Sequence, residues 1–186
     1  MNNYPKFAKV NNRKYKINTD YRISLKCNEI AESDVQDEER ALAIIYLLYG
    51  DMGLDSSEDW NELLSIALKF LNCGKELEEN DEEANMSISQ DWGYIQASFF
   101  SDYNIDLSKI QMHWWLFYNL LSGLTDKCIL SRVRYVRDFD VEQIKDSKEK
   151  ERWIKQKQQV ALIKKTEKSA EEKRLDELFE KQLRGG

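Results

Sequence analysis

His113 is the only histidine in the chain, and one imidazole is a poor start for chemistry. A zinc-type centre needs three or four converging His, Cys or carboxylate ligands. Cys27, Cys73 and Cys128 are odd in number and far apart, which fits neither a paired-thiol metal site nor a disulfide framework. They read as reduced, mostly buried thiols. His113 lies inside SKIQMHWWLFYNLLSG, Ser108–Gly123, where a partly buried ring bonded to a carbonyl or carboxylate is the expectation. The same lack of partners leaves no histidine-activated nucleophile, and no phosphate-cradling glycine loop is present.

Other residue groups invite a sharper reading. Glu76, Glu78, Glu79, Asp81, Glu82 and Glu83 form an acidic run, but it lacks the glycine and the alternating oxygen ligands of a calcium loop. It reads as a solvated surface loop spanning Lys75 to Ser87. Arg132, Arg134 and Arg137 flank Tyr135 in a way that suits nucleic acid, yet the surroundings are acidic, and a wet helix face is the expectation. The Trp114–Trp115 pair reads as core. No catalytic, metal or cofactor-binding residue is therefore assigned, and no enzyme activity is expected.

The elements that hold these residues follow from spacing. Ser108 and Gln111 have capping-box spacing, Gly123 suits a helix exit, and the residues between leave almost no polar face. Such a helix is central, with neighbours on most sides. Ahead of it, residues 6–17 form a hairpin about Asn11-Asn12, a pair that tolerates positive φ, with Val10, Tyr15 and Ile17 half buried. Thr19 or Asp20 caps a short helix bearing Tyr21, Ile23, Leu25 and Ile30. Ser33 precedes a helix with Asp34, Asp37 and Glu38 in its first turn, which continues through Ala41 to Leu48 and stops at Gly50. Trp60, Leu63, Leu64, Ala67, Leu68 and Leu71 recur at helical steps before Cys73-Gly74. Asp91–Tyr103 is helical, with Trp92, Ile95, Phe99 and Phe100 inward. Thr125 caps the next helix, where Ile129, Leu130, Val133 and Val136 pack.

The fold class is thus mainly α: a helical bundle, residues 1–142, with a small N-terminal β-hairpin, and a long charged helical extension, residues 143–186. In the extension Trp153, Ile154 and Val160 belong to one apolar patch, and Leu175, Leu178, Phe179 and Leu183 form a second. These seven residues are the candidate partner-binding set, for self-association or client contacts; docking of the tail onto its own body is the alternative. Of the 186 residues 41% are hydrophobic and 33% charged. The body carries 15 Lys/Arg against 25 Asp/Glu, a net charge of −10, whereas the tail carries 13 against 9, a net +4. An acidic body repels phosphates, so nucleic acid is not the expected partner. No run is long and apolar enough for a membrane span, and the start, MNNYPKFAKV, lacks a secretory signal. A cytoplasmic protein is expected.

The order of several segments carries a resemblance. INTDYR at Ile17–Arg22, FLNCGKE at Phe70–Glu76, QDWGYIQASFFSDYNIDL at Gln90–Leu107, MHWWLFYNLLSGL at Met112–Leu124 and ILSRVRYVRDFDVEQIKD at Ile129–Asp146 together resemble the small tail-assembly proteins of long-tailed, siphovirus-type phages of Gram-positive bacteria, encoded just upstream of the tape-measure gene. The resemblance covers roughly Val10 to Lys165. It implies a non-catalytic tail assembly chaperone that coats the tape-measure protein, helps recruit tail-tube subunits, acts in the host cytoplasm and is absent from the mature virion. The alternative is a small phage regulator or anti-defence protein whose acidic surface binds and inhibits a host factor that normally binds nucleic acid.

Overall fold

The computed structural model describes residues 4–75 and 85–163, so the acidic run and the second apolar patch of the tail lie outside the described residues. The fold is mainly α. Among the described residues there are eight α-helices and one two-stranded antiparallel ribbon. The chain divides into two units at the Asp140–Val141 junction.

In the first unit β1 (Phe7–Val10) pairs with β2 (Arg13–Lys16). Asn11 and Asn12 turn the chain with φ of 46° and 63°, as a two-residue hairpin requires. Ala8, Val10, Tyr15 and Ile17 are fully buried rather than half buried, because β1 packs on α4 (Trp60–Leu71) and β2 on α2 (Asp37–Tyr49). Asp59 locks the ribbon down. Its buried carboxylate accepts the Tyr15 hydroxyl and the Asn11 amide at 2.7 Å, with Arg13 at 3.6 Å. Those bonds, from Tyr15 foremost, hold Asp59 below the ordinary aspartate range.

Helix α1 (Tyr21–Ala31) starts at Asp20, whose side chain accepts from the Arg22 N–H, as an N-cap should. Helix α2 does not begin from Ser33. Gln36 occupies its N-cap without a side-chain bond, and Arg40 instead gathers the carbonyls of Ser33 and Val35 and the Asp37 carboxylate. Gly50, at φ 68°, passes the chain into the short α3 (Asp51–Leu54). A 3-10 turn, Ser57–Asp59, then leads into α4.

Helix α4 ends in a Schellman arrangement: the Cys73 N–H bonds to the Phe70 carbonyl and the Gly74 N–H to that of Lys69. Cys73 adopts φ 53° in the position usually given to glycine. Helix α5 (Trp92–Tyr103) buries Ile95, Ser98 and Phe99. Phe100, expected inward, is 59% exposed, since it adjoins Phe99 on the helix surface at about 100° around the axis. Left-handed Asn104 closes this helix.

The central helix, α6 (Trp114–Ser122), is shorter than its sequence suggests. Ser108 is not its cap. Asp106 holds Ser108 in a turn by accepting from both its N–H and its hydroxyl, residues 110–112 stay outside the helix, and His113 pairs with Asp20 just before α1. Gly123 follows the helix at φ −93°, without left-handed backbone; a Cβ there would sit 3.2 Å from the Asn119 carbonyl and from the Tyr103 hydroxyl. Trp114, Phe117 and Leu121 form the buried stripe, while Leu116 is exposed. Phe117 stacks on Tyr21 at 4.8 Å and on Phe99 at 5.2 Å, so α1, α5 and α6 share one aromatic centre.

Helix α7 (Ile129–Asp138) is capped by the Cys128 thiol, which accepts from the Ser131 N–H. Thr125, the expected cap, instead donates twice to Asp102. Leu130 and Val133 pack as expected, but the three arginines are not equivalent. Arg132 and Arg134 are exposed. Arg137 is not wet: its side chain is 10% accessible and forks onto the 1%-accessible Asp91 carboxylate with two bonds of 2.7 Å. It also donates to the Asn85 carbonyl. Arginine at that step of the helix faces α5 because α5 and α7 pack together, and only a fixed cation offsets a carboxylate taken out of water.

In the second unit a 3-10 turn, Val141–Gln143, precedes α8 (Ser147–Val160). Asp146 caps α8 by accepting from the Glu149 N–H at 2.8 Å, and Lys150 pairs with Glu142 at 2.7 Å.

Removing one partner of a buried ion pair strands the other charge. Arg137→Ala is expected to lower the unfolding free energy by about 3 kcal/mol or more, whereas Arg132→Ala stays within about 0.5 kcal/mol of the parent. Urea melts of both variants, followed by circular dichroism, check this contrast.

Candidate functional site

The one imidazole of the chain sits at a structural junction. His113 is the N-cap of α6, and its Nδ1 accepts the Trp115 N–H at 3.1 Å. Its Nε2 lies 2.9 Å from the Pro5 carbonyl. A neutral ring with its proton on Nε2 satisfies both contacts, because one nitrogen must accept and the other donate. Tyr4 stacks on the ring at 5.0 Å and Phe70 meets it edge-on. Around it the backbone pairs as a short antiparallel bridge: Tyr21 N–H to the Met112 carbonyl, Trp114 N–H to the Thr19 carbonyl. The expectation of a partly buried histidine bonded to a carbonyl holds. Burial is the largest influence on this imidazole and keeps it below its ordinary value; Lys6 acts in the same direction and the Pro5 carbonyl against it.

The tryptophan pair is core, as expected. Trp114 Nε1 donates to the Leu71 carbonyl and Trp115 Nε1 to the Phe70 carbonyl, both at 2.9 Å. The three thiols are free. Burial raises Cys27 to about 12 and Cys73 to about 11. At Cys128 burial pushes upward but the bonds from Ser131 and Ser98 outweigh it, so that thiol falls below its ordinary value. Among the described residues no cluster of three His, Cys, Asp or Glu side chains is placed to hold a metal. No described helix is long and apolar enough to cross a membrane.

One cleft escaped the sequence reading. A depression of about 820 Å³ opens between Lys16–Asp20, the C-terminal end of α2 with Gly50 and Asp51, and Gln111–His113. Ile23 and the half-exposed Tyr46 supply its apolar wall, and Asn18, Thr19 and Gln111 its polar groups. No motif marks it, since its lining comes from three segments that meet only through tertiary bonds such as Asn18 N–H to the Leu48 carbonyl, 2.7 Å.

The candidate partner-binding residues fall in two classes. Trp153, Ile154 and Val160 all lie on α8; Leu175, Leu178, Phe179 and Leu183 lie outside the described residues. Trp153, Lys157 and Val160 share one half-buried helical stripe with Lys150. Ile154 projects beside that stripe at 37% exposure, and Ile163 beyond the helix is 80% exposed.

A protein-family model described as Bacteriophage Gp15 protein matches residues 2–162. The chain belongs to this phage protein family. The match takes in the whole helical body and all of α8, so the half-buried stripe is part of the Gp15 family region and not an appendage to it. No curated protein and no solved structure matches the chain.

The histidine cap generates a pH dependence. Because its folded-state value is depressed, the unfolded chain takes up the proton first as pH falls. His113 therefore contributes stability that is complete above its unfolded value near 6.5 and is lost as pH falls through the lower folded value. The melting temperature is expected to fall between about pH 7.5 and pH 5.5, before the carboxylates titrate. In His113→Asn, which caps without titrating, that part of the fall disappears. Thermal melts of both proteins across the window check it.

Proposed function

We propose that this phage protein is a non-catalytic tail assembly chaperone that coats the tape-measure protein, helps bring in tail-tube subunits, and leaves before the virion is complete. The observation that carries the reading is the Gp15-family match over residues 2–162, which spans the ordered segments that resemble tail-assembly proteins. The chemistry of the described residues supports it. His113 and the two buried carboxylates are committed to structural bonds, while α8 carries Trp153 and Val160 on one half-buried stripe with Ile154 exposed beside it.

Reversible coating of a long client is a problem of many weak contacts. An amphipathic helix meets a partner helix through anchors three, four and seven residues apart, and linking many such contacts along one client multiplies modest affinities. Each copy then dissociates readily when tube subunits compete for the client. The site of action on this reading is the cytoplasm of the bacterial host.

The test is a tagged pull-down from phage-producing cells, with partners identified and counted by mass spectrometry. Recovery of the tape-measure protein with many copies of this chain is the expected result. A single host protein in fixed ratio sinks the chaperone reading in favour of an inhibitor of a host factor. Paired substitutions locate the surface. Trp153→Ser with Ile154→Ser, and separately Leu178→Ser with Phe179→Ser, are expected to reduce the number of copies recovered while leaving the melting of the body unchanged. If either pair lowers the melting temperature and spares client recovery, those residues dock onto the body instead.

A further inference from the structure

The ribbon concentrates positive charge in a body that is otherwise acidic. Residues 1–19 contain Lys6, Lys9, Arg13, Lys14 and Lys16 and no Asp or Glu, whereas residues 20–142 carry ten Lys/Arg against 25 Asp/Glu, a net −15. Side chains of a strand alternate between faces. Ala8, Val10 and Tyr15 take the buried face, which leaves Phe7, Lys9, Lys14 and Lys16 together on the outer one. The register makes this face tight, with Phe7 opposite Lys16 and Lys9 opposite Lys14. Phe7 is 46% exposed, and the Lys14 ammonium sits 3.8 Å from its ring centroid.

Two like charges directly opposite in a ladder destabilise it. Among the described residues no carboxylate bonds to Lys9, Lys14 or Lys16; the neighbouring Arg13 takes Glu58 for itself at 2.6 Å. An arrangement that repels itself and exposes an aromatic ring is matched by an anionic, partly apolar segment supplied from outside. The chain carries one in its own sequence: Glu76–Glu83 reads ELEENDEE, with six carboxylates and Leu77.

We propose that the outer face of the ribbon, Phe7 with Lys9, Lys14 and Lys16, binds the acidic segment Glu76–Glu83 of a second copy of this chain. Such a contact joins two different surfaces, so each copy keeps one free donor and one free acceptor and the assembly grows as an open chain unless rotation closes it. The contact is screened by salt. It needs no client and stands apart from the tape-measure reading.

Charge-swap complementation on the full chain tests it. The wild-type protein is expected to associate with rising concentration in sedimentation velocity at about 0.05 M salt and to dissociate at about 0.5 M. Two variants, Lys9→Glu/Lys14→Glu/Lys16→Glu and Glu78→Lys/Glu79→Lys/Glu82→Lys, are each expected to weaken self-association about tenfold or more with unchanged circular dichroism; Lys9, Lys14 and Lys16 are all exposed. Mixing the two variants restores association, because each ribbon then meets a segment of opposite sign. A wild-type chain that stays monomeric at low salt overturns the proposal. So does association that survives both swaps, or a mixture that fails to recover. Binding of single-stranded DNA or RNA that the lysine swap abolishes, without self-association, assigns the face to phosphates and overturns it equally.

Discussion

The last carbonyl of α4 sets the terms for the rest of the body. A helix leaves four carbonyls without partners in its own ladder. Here the local backbone satisfies three: Asn72 serves Leu68, Gly74 serves Lys69 and Cys73 serves Phe70. Leu71 is beyond the reach of that turn, and its donor is the Trp114 indole, 43 residues away. Trp115 adds a second indole to Phe70. Two adjacent indoles aimed at one helix end fix where α6 begins and how it is rotated, and Gly74 must stay bare because a Cβ there would meet the Trp115 ring at 3.0 Å.

From that junction the other contacts follow. With Trp114 as the first helical residue, His113 becomes the cap and its ring turns toward the Pro5 carbonyl. Segment 112–114 then pairs with 19–21, which presents Tyr21 to Phe117 for stacking. Two buried carboxylates fasten the periphery by the same logic. Asp59 holds the ribbon through Tyr15 and Asn11, and Asp91 holds α7 through Arg137. Each is a charge that water has lost and that specific donors replace, so each fixes an angle between elements that apolar packing alone leaves loose.

Element type was legible in the sequence because it rests on local signals. Asn11-Asn12 between alternating apolar residues specified the hairpin, and the Trp60–Leu71 periodicity specified a helix with one buried stripe, from which only Leu68, 45% exposed, departs to the surface. Helix starts were less legible, for a consistent reason. Ser108, Ser33 and Thr125 all have the chemistry of caps, but Asp106, Arg40 and Asp102 claim them or their surroundings, while His113, Gln36 and Cys128 take the capping positions. A local rule cannot register a competitor that arrives through tertiary packing. Arg137 failed to read as buried for the same reason, since nothing in its own helix shows that Asp91 faces it. The cleft beside His113 was invisible because its walls are separated by up to about a hundred positions in the chain. On the functional side, the phage assignment came through the ordered segments as a set, with no single residue decisive.

The bond between His113 and Pro5 spans 108 positions, and this has a consequence for synthesis on the ribosome. Translation delivers Tyr4 and Pro5 long before the ring they clasp, which is added 108 positions later. The Tyr21 hydroxyl likewise waits for the Leu107 carbonyl, 86 positions later. Long-separated contacts of this kind slow folding because the intervening loop must close before any reward. A nascent chain of this protein therefore keeps an unclasped amino-terminal ribbon, with Tyr4, Pro5 and the apolar Tyr21 uncovered, until α6 has cleared the exit tunnel. Completion of the body waits for α6, and fragments released before it expose the surfaces that intact copies bury.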